Sequence, residues 1–434
     1  MSLKNISLIY EKSVSFLLLF LVIFIPYREV ISTFTISKVK VIPDIMILIT
    51  FALYMVKSRF RIKLNLTDIF YAVFLILAFI STIFINNVGI KSYIIEMRSI
   101  FIYYIVYFLL RHSKLDNRFY RVFSQMIIWN TFILTLLSLI EKITSKTVLF
   151  PLTWAKSIIY ADNYGRVYGM FNNPNTFGAY LLFSLIIVFY LHNTLSIKTS
   201  NFFCICIITT IILTVSRSSM IALAIFLIAY TFVINKSAMI KKFIGYVVIS
   251  IALVFVVNSL SIYYTSIITN IKSAHNLQID SSSKNSVRNR LSELSNPEII
   301  SKSRTDGRIF SVTKGIEILK ENPILGTGFG TYGDAASLII TPEQYGKYGI
   351  TEDFYADNEY IKVLVETGIV GTLVYILFLF SIIINHRQNK LKVLSCLILG
   401  FLGMFYNIFE VQILSFLFWV MLTLPESKEF SIGE

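Results

Sequence analysis

Charge is scarce in this chain. Of its 434 residues only 15% are Asp, Glu, Lys or Arg, whereas 56% are hydrophobic, and the mean hydropathy is positive. Such a composition excludes a soluble globular domain and indicates an integral membrane protein with many spans. Cysteine is nearly absent too. Cys204, Cys206 and Cys396 lie inside apolar runs without CxxC spacing, which speaks against a cysteine metal centre and leaves free, buried thiols. The four histidines, His112, His192, His275 and His386, fall at inner turns or in a polar loop, so histidine catalysis at the outer face is not expected. No small-residue cleavage site follows Lys4 and Lys12, and the first apolar run is therefore expected to be a retained span. The internal repeat that many transporters carry is missing. Acidic residues are outnumbered, 25 against 39 Lys and Arg, for a formal charge of +14. The basic residues sit in short clusters at the ends of apolar runs, as the positive-inside rule requires, and no nucleic-acid partner is expected.

What the sequence does have is a series of apolar runs. A helix crosses a bilayer with about 20 largely apolar residues, and twelve runs qualify: 14–33, 41–56, 68–85, 93–110, 122–140, 176–190, 202–215, 220–234, 243–260, 361–384, 393–409 and 411–424. Pro26, Arg28 and Glu29 are expected to break the first near its outer end. The basic clusters at 57–63, 111–121, 236–242 and 387–392 place their turns, and both termini, in the cytoplasm. The expected fold is an all-α polytopic membrane protein of about twelve transmembrane helices. Residues 1–260 hold nine spans and one outer loop at 141–175, residues 261–360 form a large outer loop, and residues 361–434 hold three spans and a cytoplasmic tail.

Polar character concentrates between Arg304 and Gly371. Ile309, Val312, Ile316 and Leu319 predict an amphipathic helix over 307–321, lying on the bundle or at the bilayer surface. Asp306 favours its start and Asn322-Pro323 ends it. Arg304 and Arg308 stand at or before its first turn, where they can face an anion. The half-loop from Ser261 to Lys302, rich in Ser, Asn and Lys, is expected to be mobile. The segment GTGFGTYG at 326–333 follows no strand and has no Lys-Ser/Thr after it. It is expected to be a turn, with close backbone approach to a ligand as the second reading.

Other guanidiniums stand outside that stretch. Arg217, in SRSS between two spans, has no acidic residue nearby in sequence and must face water, a partner, an anionic ligand or lipid phosphate. Glu96 and Arg98 do not share a helix face, and Arg98 is expected toward the cavity. Arg166 precedes FNNPN, whose Asn172, Asn173 and Asn175 can cap a helix start. Asp357 and Asn358 open the tenth span, with Asp357 either a helix cap or a carboxylate facing a cavity.

Several outer arginines, no metal cluster and one carboxylate suit transfer from a lipid pyrophosphate. Guanidiniums neutralise the leaving group in place of a divalent ion, and the carboxylate takes a proton from a sugar hydroxyl. The segments GRVYGMFNNPN, TVSRSS, RTDGR, NPILGTGFG and DNEYIKVLVETGIVG, in that order over residues 160–385, resemble the Wzy-type O-antigen polymerase and O-antigen ligase superfamily. The resemblance implies a GT-C-type glycosyltransferase at the outer face of the cytoplasmic membrane. It would act on undecaprenyl-pyrophosphate-linked oligosaccharides with inversion and without metal or other cofactor, amid membrane lipids and with a chain-length regulator as a further partner.

Arg217 and Arg308 match the family's arginines and are assigned to the pyrophosphate. Arg166, Arg98 and Arg304 are further candidates for that pocket, and Asn172, Asn175 and Asn358 for substrate contacts. Asp357 stands where O-antigen ligases carry His before Asn. This departure favours a polymerase, and an ordinary aspartate is a poor base unless its site raises the pKa. The alternatives are a ligase-like transfer to a different acceptor and, from another class, a lipid-linked oligosaccharide flippase. A flippase would place its charges near the midplane rather than at the outer face.

Overall fold

The computed structural model describes residues 3–149, 165–191, 196–234, 238–273 and 307–425. Among the described residues there are α-helices and no strands. In chain order they are α1 (Leu3–Phe34), α2 (Ile42–Lys57), α3 (Leu66–Ile80), α4 (Ile90–Arg111), α5 (Asn117–Ile143), α6 (Pro174–Tyr190), α7 (Ile197–Leu213) and α8 (Arg217–Ile234). After these come α9 (Ala238–Ser273), α10 (Arg308–Leu319), α11 (Gln344–Tyr348), α12 (Glu359–Asn385), α13 (Lys390–Leu402) and α14 (Gln412–Thr423). Seven helices are long and apolar enough to cross a membrane, and α6, α7, α8 and α14 are apolar but shorter. The chain is an all-α polytopic membrane protein, as its composition requires.

Three boundaries differ from expectation, and one is the expected span 393–409, whose helix α13 ends at Leu402. Pro26 does not break α1, which continues to Phe34; one missing donor disturbs a helix less than ending it in hydrocarbon would. Beyond it Glu29 is held by Arg28 at 3.0 Å and Lys40 at 2.7 Å. Helix α9 runs to Ser273, so residues 261–273 are helical rather than a mobile loop. The rest of that loop, with Arg304 and Asp306, lies outside the described residues.

The chain forms two compact units. One comprises residues 1–10, 49–112 and 295–423, the other residues 11–48, 113–294 and 424–434. In the second unit α5, α7 and α8 pack against α6. Helix α6 is buried along nearly its whole length, as an all-round apolar sequence should be. A Cβ at Gly178 would lie 2.7 Å from Ser219 Oγ, so glycine lets α8 approach closely.

In the first unit α3 packs on α12 and α4 on α14. Tyr71 stacks on Phe378 with centroids 4.5 Å apart, beside Tyr104 and a fully buried Trp419. Helix α12 is broken at Gly368, whose φ of 64° and ψ of −169° interrupt the helical ladder. The freed backbone groups pair with the loop before the glycine-rich turn. Thr327 and Gly328 donate to the carbonyls of Val365 and Glu366 at 2.9 and 2.8 Å, and Ile369 and Val370 donate to Pro323 and Ile324 at 2.9 and 3.1 Å. A break in an apolar helix is tolerated where neighbouring backbone re-satisfies it in this way.

The amphipathic helix exists as α10, and its small residues rather than its apolar stripe make the contact with the rest of the unit. Ser311, Gly315 and Ile318 are buried, whereas Ile309, Val312 and Ile316 are exposed. A Cβ at Gly315 would meet Ile361 Cγ1 at 2.6 Å. The small face therefore lies on α12, because close approach there outweighs the apolar stripe, which is left outward.

Candidate functional site

The start of α12 assigns its two polar residues different work. Asn358, not Asp357, is the cap: its side chain accepts from the backbone N–H groups of Tyr360 and Ile361, both at 3.1 Å, and its Nδ2 donates to the Met404 carbonyl at 3.2 Å. Capping requires extended backbone, which Asn358 has at φ −158°. Asp357 has φ 47°, in the left-handed region that a non-glycine residue rarely adopts. Its carboxylate accepts no hydrogen bond among the described residues. Burial holds its pKa above the ordinary aspartate range, and the Arg308 guanidinium pulls the other way. Arg308 opens α10, whose Gly307 cap supplies no side-chain hydrogen bond. Its guanidinium lies over the Phe405 ring at 5.1 Å. A cation at the positive end of a helix is unfavourable until an anion joins it.

The glycine-rich segment is a turn, and its donors serve the protein's own carboxylates. Gly330 N–H donates to Asp334 Oδ2 at 2.7 Å, and the N–H groups of Thr331 and Tyr332 donate to Glu366 Oε1, each at 3.1 Å. Such a nest binds anions, and here the anions are internal. Glu366 and Asp334 face Glu96 of α4, and one oxygen from each lies within 4.8 Å of the others. Lys362 Nζ meets Glu410 at 2.5 Å, Glu96 at 3.2 Å and Glu359 at 3.7 Å.

All six side chains are 3% exposed or less. Sequence reasoning missed this cluster, expecting Arg98 rather than Glu96 to turn inward, whereas Glu96 is buried and Arg98 exposed. The signal was present in KVLVETG. Lys362 and Glu366, one helical turn apart inside an apolar span, are costly there without partners.

In the second unit the loop ahead of α6 is braced from below. Glu141 accepts from the backbone of Tyr168 at 2.9 Å and Gly169 at 3.0 Å and from Lys146 Nζ at 2.6 Å. Arg166, buried, donates through Nε to the Thr214 carbonyl at 2.8 Å and through a terminal nitrogen to Asn175 Oδ1. The structure thus brings Arg166 and Asn175 together and ties both to the turn before α8. Asn173 caps α6, accepting from Asn175 N–H at 2.8 Å, and Asn172 is exposed.

Arg217 is the first residue of α8, half-buried, after Val215 at φ 52°. Ser216 Oγ lies 3.0 Å from Ser219 Oγ and 3.3 Å from Ser218 Oγ. Of the eight non-glycine residues with positive φ among the described residues, three, Met170, Val215 and Asp357, lie in the motifs around Asn172, Arg217 and Asp357. Strain of this kind gathers at functional sites.

No curated protein matches the chain. A family model described as O-Antigen ligase matches residues 202–376. The matched segment holds Arg217, Arg308, the glycine turn and Asp357, and it supports a place for this chain in the O-antigen ligase and polymerase superfamily.

Proposed function

We propose that the protein is a polysaccharide polymerase of the cytoplasmic membrane, with both termini in the cytoplasm and its reaction at the outer face. The donor is a glycan chain on undecaprenyl pyrophosphate, and the acceptor is a sugar hydroxyl on another lipid-linked repeat unit. The hydroxyl oxygen attacks the anomeric carbon from the face opposite the leaving group. The bond to the pyrophosphate oxygen breaks, the hydroxyl proton passes to Asp357, and the configuration inverts. Arg308 and Arg217 take up the charge that grows on the leaving pyrophosphate, without a metal ion in the transfer itself.

The observation that carries this reading is the state of Asp357. It is relieved of capping by Asn358, held above the usual carboxylate range by burial, and coupled electrostatically to Arg308. A carboxylate so raised is a better base than an ordinary aspartate. Arg217 is assigned to the same ligand by the resemblance alone. The match to O-antigen ligase over residues 202–376 supports a lipid-linked glycan transferase. Aspartate in place of the ligase histidine is what favours polymerase over ligase.

The test is the glycan ladder. Arg217→Ala and Arg308→Ala should each cut polymerisation by about 10²- to 10³-fold, leaving single-repeat lipid-linked products and membrane protein levels intact. Normal ladders in both variants would remove the pyrophosphate role. Purified protein that transfers one finished glycan to a different lipid acceptor, with no polymer, would establish the ligase reading instead.

A further inference from the structure

The carboxylates of Glu96, Asp334 and Glu366 have no role in the transfer proposed above. They come from three separate elements, α4, the end of the glycine turn and the first segment of α12, and all three are fully buried. One oxygen from each lies within 4.8 Å of the other two, a spacing at which a single ion can touch all three. With Glu359 and Glu410 they make five buried carboxyl groups beside one buried ammonium, that of Lys362. Lys362 is held by Glu410 at 2.5 Å and reaches one member of the triad, Glu96, at 3.2 Å, but among the described residues it makes no ion pair with Asp334 or Glu366. One ammonium does not balance five carboxylates in so dry a setting, and the excess negative charge is unfavourable even after relaxation.

A second observation concerns a member of the same triad. Glu366 is 0% exposed, and its Oε2 has no hydrogen-bond partner, although its Oε1 accepts two backbone N–H groups. Glu359 Oε2, outside the triad, lacks a hydrogen-bond donor but has the Lys362 ammonium 3.7 Å away. Buried oxygens in native proteins are nearly always satisfied, and an orphan calls for an ion, a water or a proton. A proton on one carboxyl would cancel one charge. A divalent ion cancels two and gives the three facing oxygens the electropositive partner they share.

We propose that Glu96, Asp334 and Glu366 hold a small hard divalent cation of the calcium or magnesium type, which fastens α4, the glycine turn and the head of α12 together. Its role is to position these elements, and it takes no part in bond making.

The test uses the full-length protein in detergent, stripped with a chelator and then returned to calcium, to magnesium or to potassium chloride of equal ionic strength. Metal content and the thermal unfolding midpoint are measured. About one equivalent of calcium or magnesium retained before stripping, and an upward shift of a few degrees on restoring it, are expected. Both should vanish in Glu366→Gln. Whichever ion restores the midpoint identifies the occupant. Should Glu366→Gln fail to fold, Asp334→Asn is read in the same way, together with terbium luminescence of the wild type displaced by calcium.

A stripped wild type that unfolds at one temperature in all three salts and carries no stoichiometric metal would overturn the proposal. So would a Glu366→Gln protein as stable as the wild type, because the triad would then be neutralised by protons. Polymer synthesis is not the readout, and failure of the polymerase assignment would leave these measurements standing.

Discussion

With Asn358 closing the first turn of α12, the carboxylate of Asp357 is free for chemistry, and its pH behaviour has a definite sign. Burial raises its pKa and Arg308 lowers it. A base must be ionised to accept a proton, so transfer should fail on acidification at a pH above that of ordinary aspartate. Arg308→Ala removes the lowering influence and should move this acid limb to still higher pH, with Arg308→Lys falling between. A pH–rate profile of the residual activity checks the direction, and an unmoved limb would detach Asp357 from the rate. Asp357→Asn should depress turnover by about 10²- to 10⁴-fold while donor affinity changes little. The sequence placed Asp357 and Asn358 together at a helix start but could not say which one caps. The answer lies in a backbone torsion, φ 47° against −158°, and both residue types are good caps.

Among the elements, the turn at 326–333 and the broken α12 depend on each other. Gly326 has φ +68°, and a Cβ there would lie 2.5 Å from backbone atoms of Val365, Glu366 and Gly368. Gly349 has nearly the same torsion, φ +65°, with nothing within 4 Å. Gly349→Ala should therefore cost about 1–2 kcal/mol for the left-handed backbone alone. Gly326→Ala should lower the unfolding midpoint distinctly further, because backbone must also move. Equal losses in a thermal unfolding comparison would mean that the loop is not anchored on α12. The glycines announced a turn in the sequence, but their partner did not show. The break at Gly368 lies inside a run apolar enough to be read as one span, and hydropathy carries no information on the continuity of a helix. Helix α10 shows the same limit. Its apolar period was legible from Ile309 to Leu319, but Gly315 decides which side faces α12.

At the scale of the molecule, the proposed topology rests on charge. The basic clusters at 57–63 and 111–121 are assigned to the cytoplasm and the segment before α12 to the outer side. In a variant lacking Cys204, Cys206 and Cys396, a cysteine at Glu352 should react with a membrane-impermeant maleimide added to intact cells. One at Lys63 should react only after permeabilisation. The reverse pattern would invert the assignment.

Membrane class and most helix positions were legible because burial in lipid demands long apolar runs; eleven of the twelve runs became helical over nearly their whole length, and 393–409 only as far as Leu402. The six-residue charge cluster around Lys362 was not, because its members are scattered from Glu96 to Glu410 and meet only in the fold. The four backbone bonds between 323–328 and 365–370 reach across some forty residues of sequence. They make the loop and the head of α12 one structural piece. A chimera that takes the loop from one relative and the helix from another would cut through that seam, leaving these amide and carbonyl groups unpaired. Exchange of acceptor specificity between relatives should therefore succeed only when both are moved together.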